Sequence, residues 1–247
     1  MKTMFLLAMK TDAPGFLARR IEAAAELLYP SSIYCVACGN LIDASRPYAL
    51  CDTCRSEIAW GRGALPSGHE FRNGWSCVSY SGPIKNMVRD MKYHDRPSTA
   101  KNIAEIMADR AAGEDGIMNA DVIIPVPMYR AKKRKRGYNQ TELIAADLAQ
   151  RLGIAYAPDV LIKTKMTEAM SSKNSDERRL MLTDAFAVED SEPSRVHAAR
   201  VLLIDDVFTT GSTADACART LCEAGAASVD LFVFATGALA VGGRQDW

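Results

Sequence analysis

Val201-Leu-Leu-Ile-Asp-Asp-Val-Phe-Thr-Thr-Gly-Ser-Thr213 puts four apolar residues, two adjacent carboxylates and a hydroxyl-glycine loop within thirteen positions. The apolar run 201–204 is too short for a core helix and reads as a strand buried on both faces, as in a parallel sheet. A turn is expected next. Thr209, Thr210, Gly211, Ser212 and Thr213 then offer consecutive backbone N–H groups and four hydroxyls at an expected helix N-terminus. Ser212 or Thr213 can cap that helix, whose apolar period ends near Gly225. Such a terminus attracts phosphate.

Asp205 and Asp206 do not belong in a simple phosphate cradle, because carboxylates repel an anion at close range. Their expected target is neutral. Paired carboxylates accept hydrogen bonds from vicinal hydroxyls, as on a ribose, and can hold Mg²⁺ directly or through waters. No G-x-x-x-x-G-K-[ST] and no G-x-G-x-x-G occurs in the chain, so the common nucleotide-binding loops are absent.

Outward from this stretch the chain alternates: strand 121–126, helix 141–152, strand 185–188, strand 201–204, helix 213–224 and strand 229–234. This order predicts an α/β fold with an open, mainly parallel, twisted sheet flanked by helices, binding its ligand at the carboxyl ends of the strands. Ile84, Met87, Val88 and Met91 form one helical stripe. Ile103, Ile106, Met107 and the aliphatic stem of Arg110 form another.

Near the start, Cys35-Val-Ala-Cys38-Gly and Cys51-Asp-Thr-Cys54 make two C-x₂-C pairs separated by twelve residues. Four thiolates at this spacing can surround one ion, and Zn²⁺ is the expected metal; two redox pairs or an iron–sulfur site are the alternatives. Gly39 suits the tight backbone turn of a knuckle. Such a site is structural, since four thiolates leave no open position. Cys77, Cys217 and Cys222 lie outside any ligand spacing, and the last two read as small core residues. An amphipathic helix through Phe16, Leu17, Ile21, Ala25 and Leu28 ends at Pro30. Helix and knuckle form an expected N-terminal module over 1–60, with a glycine-rich linker at 61–74 and the main domain at 75–247.

The 247 residues can bury a core without disulfides. Thirty basic and thirty acidic side chains leave no net charge, so any attraction for polyanions must come from local clustering. The apolar start 4–9 is too short for a secretory signal, and no run approaches the ~18 to 20 residues of a membrane span. Together with seven cysteines, this predicts a cytoplasmic protein in a reducing compartment, without membrane insertion.

Six of the seven residues 130–136 are basic, in an expected loop leaving a strand end. Arg134, Lys135, Arg136, Tyr138, Asn139 and Gln140 are candidates to clamp pyrophosphate, to bind nucleic acid, or simply to stand in water. Tyr138 could stack on a base. The polar segment 163–179, with Lys163, Lys165, Lys173 and Arg178, is either a lid or an ordinary surface loop.

The stretch 201–213 closely resembles the phosphoribosyl pyrophosphate (PRPP) motif of type I phosphoribosyltransferases, with Phe208 where many members have an aliphatic residue. In that family the two acids take the ribose hydroxyls and the hydroxyl loop takes the 5′-phosphate. The C-x₂-C pairs, Tyr80-Ser-Gly-Pro-Ile-Lys85, Met91-Lys-Tyr93, Pro125-Val-Pro127, Arg136-Gly-Tyr-Asn-Gln140 and the PRPP-like motif together resemble the ComF family, over nearly the whole chain. The resemblance implies a phosphoribosyltransferase-like protein with an N-terminal zinc finger. It would bind PRPP with Mg²⁺ and transfer ribose 5-phosphate to an unknown nitrogenous acceptor, with release of pyrophosphate. The alternative implied by the family is a non-catalytic accessory protein of DNA uptake that binds single-stranded DNA or a partner in the competence machinery. Thr167 leads to Met170 where family members often carry glutamine, and Met181 stands near a family asparagine, which leaves the acceptor open.

Overall fold

The computed structural model describes residues 33–93, 96–166, 182, 184–189 and 193–237. The expected helix 16–28 lies outside them, as does most of the segment 163–179. The elements follow in chain order: α1 (Asp52–Glu57), β1 (Trp60–Ala64), β2 (Gly74–Ser79), α2 (Gly82–Tyr93), α3 (Thr99–Ala111), α4 (Asp115–Met118), β3 (Val122–Pro125), α5 (Arg130–Arg136), α6 (Gln140–Leu152), β4 (Ala155–Tyr156), β5 (Leu161–Lys163), β6 (Phe186–Val188), α7 (Pro193–Val196), β7 (Arg200–Phe208), α8 (Ser212–Glu223) and β8 (Ser228–Thr236). Among the described residues no helix is long and apolar enough to cross a membrane.

Six strands form one sheet in the order β1-β2-β8-β7-β3-β4. Only the edge pair β1–β2 is antiparallel; every other neighbour is parallel. The fold is thus the expected α/β sheet flanked by helices. The two faces of the central strands are read from their alternation: Leu202, Ile204, Phe232 and Phe234 pack on the side of α2, α3 and α6. Val201, Leu203, Leu231 and Val233 pack on the side of α8. This is the period of two that extended backbone imposes. Both predicted helical stripes are buried: Ile84, Met87, Val88 and Met91 in α2, and Ile103, Ile106 and Met107 in α3.

Four expectations change. Strand β7 runs on through Asp205 and Asp206 to Phe208, because its backbone remains paired with β8 as far as Phe208 opposite Thr236. The basic loop is the short helix α5, closed by Gly137 in the left-handed region at φ +88°. Residues 61–74 carry β1 and a strap across the sheet rather than a linker, with Leu65 and Phe71 buried in the α8-side core. Cys222 is exposed near the end of α8, whereas Cys77 and Cys217 are fully buried.

The cysteine segment shares the main core, since Cys35, Leu50, Cys54 and Ile58 belong to the cluster containing Ile84 and Met87. The sulfur atoms of Cys35, Cys38, Cys51 and Cys54 lie within 4.8 Å of one another, a donor set that can hold a metal ion. Gly39 turns the chain at φ +76°, as expected of a knuckle. Backbone amides of Cys51 and Cys54 donate to the sulfurs of Cys35 and Cys51, both at 3.4 Å.

Candidate functional site

A cleft of about 790 Å³ lies at the carboxyl ends of β3 and β7. One wall is the hydroxyl loop, residues 209–213, running into α8; the opposite wall is α5 and the start of α6. The N-cap of α8 is Gly211, at φ +78°, and no side chain caps the helix, in place of the expected Ser212 or Thr213. The first-turn amides of a helix have no intrahelical acceptor, so this twelve-residue helix presents free donors at the cleft. Thr210 and Ser212 hydroxyls stand 3.1 Å apart beside them. Residues of this loop with Asp205 are therefore gathered around one space.

The two acids part company. Adjacent residues on a strand point to opposite faces. Asp205 faces the cleft, and its Oδ1 accepts the amide of Asp206 at 2.8 Å. Burial, and then the neighbouring Asp206, push its pKa up to about 7. Asp206 is 4% exposed on the other face. There its Oδ2 takes the ammonium of Lys92 at 2.7 Å and the amide of Gln140 at 3.2 Å. Burial works against the Lys92 charge, yet Asp206 holds its pKa above the ordinary value. Both acids were expected at the ligand site; of the two, Asp205 alone lines the cleft, and Asp206 fastens α2 and α6 to β7.

Helix α5 distributes its cations instead of pooling them. Lys132 and Lys135 line the cleft. Lys133 turns away to Glu142 at 2.7 Å, and Arg134 is exposed outside the cleft wall. Arg136 donates to the Gln140 side-chain oxygen at 2.5 Å and lies 5.7 Å from the Tyr93 ring centroid. Asn139 is the N-cap of α6, accepting from the Thr141 amide at 3.2 Å. Tyr138 does not offer the expected stacking ring: it packs on the core, and its hydroxyl donates to the Met91 carbonyl at 2.5 Å. From β5, Lys163 reaches the same cleft, its pKa lowered by burial.

Two contributors have roles the sequence does not show. Lys92 occupies the last turn of α2, and only the sheet's folding brings it to Asp206. His69, on the strap, braces the hydroxyl loop from behind. Its Nδ1 lies 3.0 Å from both carboxylate oxygens of the buried Asp215, and its ring stacks on Phe71 at a centroid distance of 4.8 Å. A Cβ built on Gly211 would stand 2.4 Å from His69 Cε1. No sequence signal marks a contact between residues 146 positions apart.

No family model matches the chain. It is 27% identical over 207 residues to DNA utilization protein YhgH of Salmonella typhi, covering 80% of this chain and 88% of that protein. It is 26% identical over 203 residues to Competence protein F of Haemophilus influenzae, covering 81% and 82%. Among solved structures, glutamine phosphoribosylpyrophosphate amidotransferase from B. subtilis aligns over 59% of this chain and 30% of its own, at 21% identity and a TM-score of 0.40. The relatives bear out the ComF resemblance read from the motifs.

Proposed function

We propose, with the ComF likeness as premise, that the cleft binds PRPP and that the protein transfers its ribose 5-phosphate to a nitrogenous acceptor. One observation carries this reading: Asp205 and the uncapped N-terminus of α8 open on the same space at the carboxyl end of a central parallel strand. The 5′-phosphate sits against the amides and hydroxyls of Thr209, Thr210, Gly211, Ser212 and Thr213. Asp205 accepts hydrogen bonds from the ribose hydroxyls. Lys132, Lys135 and Lys163 face the departing pyrophosphate, whose charge they offset as it develops. Bound Mg²⁺ would supply further charge neutralisation to the pyrophosphate. The acceptor nitrogen's lone pair forms the new C–N bond as the bond from the anomeric carbon to pyrophosphate breaks, the leaving group keeping that electron pair. Holding the two partners in line supplies much of the rate, so no nucleophilic side chain is required.

Titration calorimetry with PRPP and Mg²⁺ tests the reading. Wild-type protein is expected to bind with a dissociation constant between about 1 μM and 1 mM. The Asp205→Asn variant should lose about tenfold or more, the cost of one charge-assisted hydrogen bond. No binding by wild type, or undiminished binding by the variant, removes the proposal.

The four thiols are assigned zinc as a structural ion, which their converging sulfurs and the amide donors to them support. Structural zinc contributes on the order of 10 kcal/mol at neutral pH. Because the knuckle shares the main core, stripping the metal with a strong chelator should lower the melting temperature of the whole protein, with one zinc released per chain by atomic absorption. A melt unchanged by complete chelation would contradict the assignment.

A second reading, contact with single-stranded DNA, is favoured by the exposed Arg130 and Arg134 on α5 and by the name of the Salmonella relative, a DNA utilization protein. If Arg130 and Arg134 each meet one phosphate, Arg130→Gln with Arg134→Gln should shallow the slope of log K against log salt by about 1.4, at about 0.7 per contact. An unchanged slope assigns the DNA role elsewhere.

A further inference from the structure

The strap that carries His69 is stitched to α8 at two successive turns. In the first turn, Asp215 Oδ1 accepts the Glu70 amide at 2.9 Å, and both carboxylate oxygens lie 3.0 Å from His69 Nδ1. One turn on, Arg219 meets the Glu70 carboxylate at 2.9 Å. At the strap's far end, the side chains of Arg72 and Asn73 donate to the buried Asp230 of β8. Phe71 stacks on the imidazole, and Phe208 meets it edge-on at a centroid distance of 5.4 Å. The ring is thus held in one place against the hydroxyl loop. As a carboxylate Asp215 only accepts, so His69 Nδ1 carries the hydrogen between them.

Asp215 stands in an unusual place for a phosphate site. Its side chain is 3% exposed, in the first turn of the helix whose amides face the cleft. The positive end of α8 favours that carboxylate while the site is empty. A phosphate arriving at the same end is repelled by it, through an interior that screens poorly. Hydroxyls and amides of the loop carry no full charge to offset the repulsion. Imidazole, the side chain whose ordinary titration falls near neutrality, lies between the two. A Cβ on Gly211 would stand 2.4 Å from His69 Cε1 and 2.7 Å from Nδ1, so the ring touches the loop itself. Asp215 faces the ring from α8, Phe208 from β7 and Phe71 from the strap, while the Glu70 carboxylate is turned to Arg219.

We propose that His69 is the positioning residue of the 5′-phosphate end, and that phosphate binding draws a proton onto it. The assignment rests on the PRPP reading of the cleft. The proton comes from solvent and goes to Nε2, since Nδ1 already carries a hydrogen. The resulting imidazolium cancels the Asp215 charge behind the loop and keeps Gly211 and its neighbouring amides in place. A bound phosphate favours the charged ring, so this contribution to affinity is complete at low pH and is lost as pH rises. His69 thereby separates the two ends of PRPP: the sugar phosphate depends on it, and the pyrophosphate, held by Lys132, Lys135 and Lys163, does not.

Calorimetry on the full chain with Mg²⁺ tests this, using ribose 5-phosphate and pyrophosphate as separate probes. His69→Asn keeps an N–H donor for Asp215 and cannot take up a proton. At about pH 6.5 the variant should bind ribose 5-phosphate about tenfold more weakly than wild type, and pyrophosphate within about threefold. The ratio of wild-type to variant affinity for ribose 5-phosphate cancels the ligand's own ionisation, and it should fall toward one by about pH 8.5. Adding Asp215→Asn to that variant removes the uncompensated charge and should restore most of the affinity. On wild type alone, titrations at about pH 7.5 in buffers of different ionisation enthalpy should show net proton uptake with ribose 5-phosphate, whose phosphate is then largely dianionic. A ratio that does not change with pH, an equal loss for both probes, or no proton uptake overturns the proposal while leaving the PRPP reading in place. If wild type binds pyrophosphate but neither PRPP nor ribose 5-phosphate, the cleft reading falls and the role of His69 falls with it.

Discussion

Asp205→Asn is expected to make the protein more stable and less able to bind PRPP. Asp205 is pushed from the ordinary 3.8 up to about 7, by burial first and by Asp206 second. A carboxyl whose folded pKa lies above its unfolded value favours the native state fully below about pH 4. That contribution is lost as pH rises toward 7. Above pH 7 the native state therefore holds a carboxylate against a cost that asparagine does not carry. Asparagine keeps the oxygen that accepts the Asp206 amide at 2.8 Å. The variant should gain on the order of 2 kcal/mol in denaturant melts at pH 8, with no gain below about pH 4. A gain in stability together with a loss of ligand is the signature of a group retained for binding. Equal stability at pH 8, or a variant less stable there, would show that the carboxyl is not strained in its place.

The second large effect is expected at Gly211. Its φ of +78° is in the left-handed region, and an added Cβ would meet His69 Cε1 at 2.4 Å, His69 Nδ1 at 2.7 Å and Phe208 Cε2 at 3.0 Å. His69 cannot easily retreat, because Asp215 holds its nitrogen and Phe71 backs its ring. Gly211→Ala should cost on the order of 3 kcal/mol, summing backbone strain and overpacking, and should weaken phosphate binding as the loop shifts. Adding His69→Ala to that variant removes the two nearest contacts but leaves Phe208 and the backbone strain, so the double variant should lose less stability than the sum of the two single losses. A Gly211→Ala protein that melts with wild type would mean the loop is looser than its contacts indicate.

What could be read in advance was local. The stripe of α2 needs only the spacing of Ile84, Met87, Val88 and Met91, and the apolar run of β7 needs only four consecutive residues. The boundary of β7 failed because Asp205 and Asp206 look like the start of a turn, while pairing with β8 keeps them in the strand. That same pairing separates them onto opposite faces. Helix α5 was hidden by its composition: a run of Lys and Arg has no apolar period, yet these residues have good helix propensity and Gly137 ends the helix cleanly. Residues 61–74 look like a linker by their glycines. Packing of Leu65 and Phe71, and the bond of His69 to Asp215, make them a strap.

A crystal structure of the protein with PRPP and Mg²⁺ tests the central claim most directly. The account predicts the 5′-phosphate within hydrogen-bonding distance of backbone amides between Thr210 and Thr213, and a ribose hydroxyl on Asp205. Phosphate gathered on α5 while the hydroxyl loop stands empty, with Asp205 out of reach of the sugar, would contradict it.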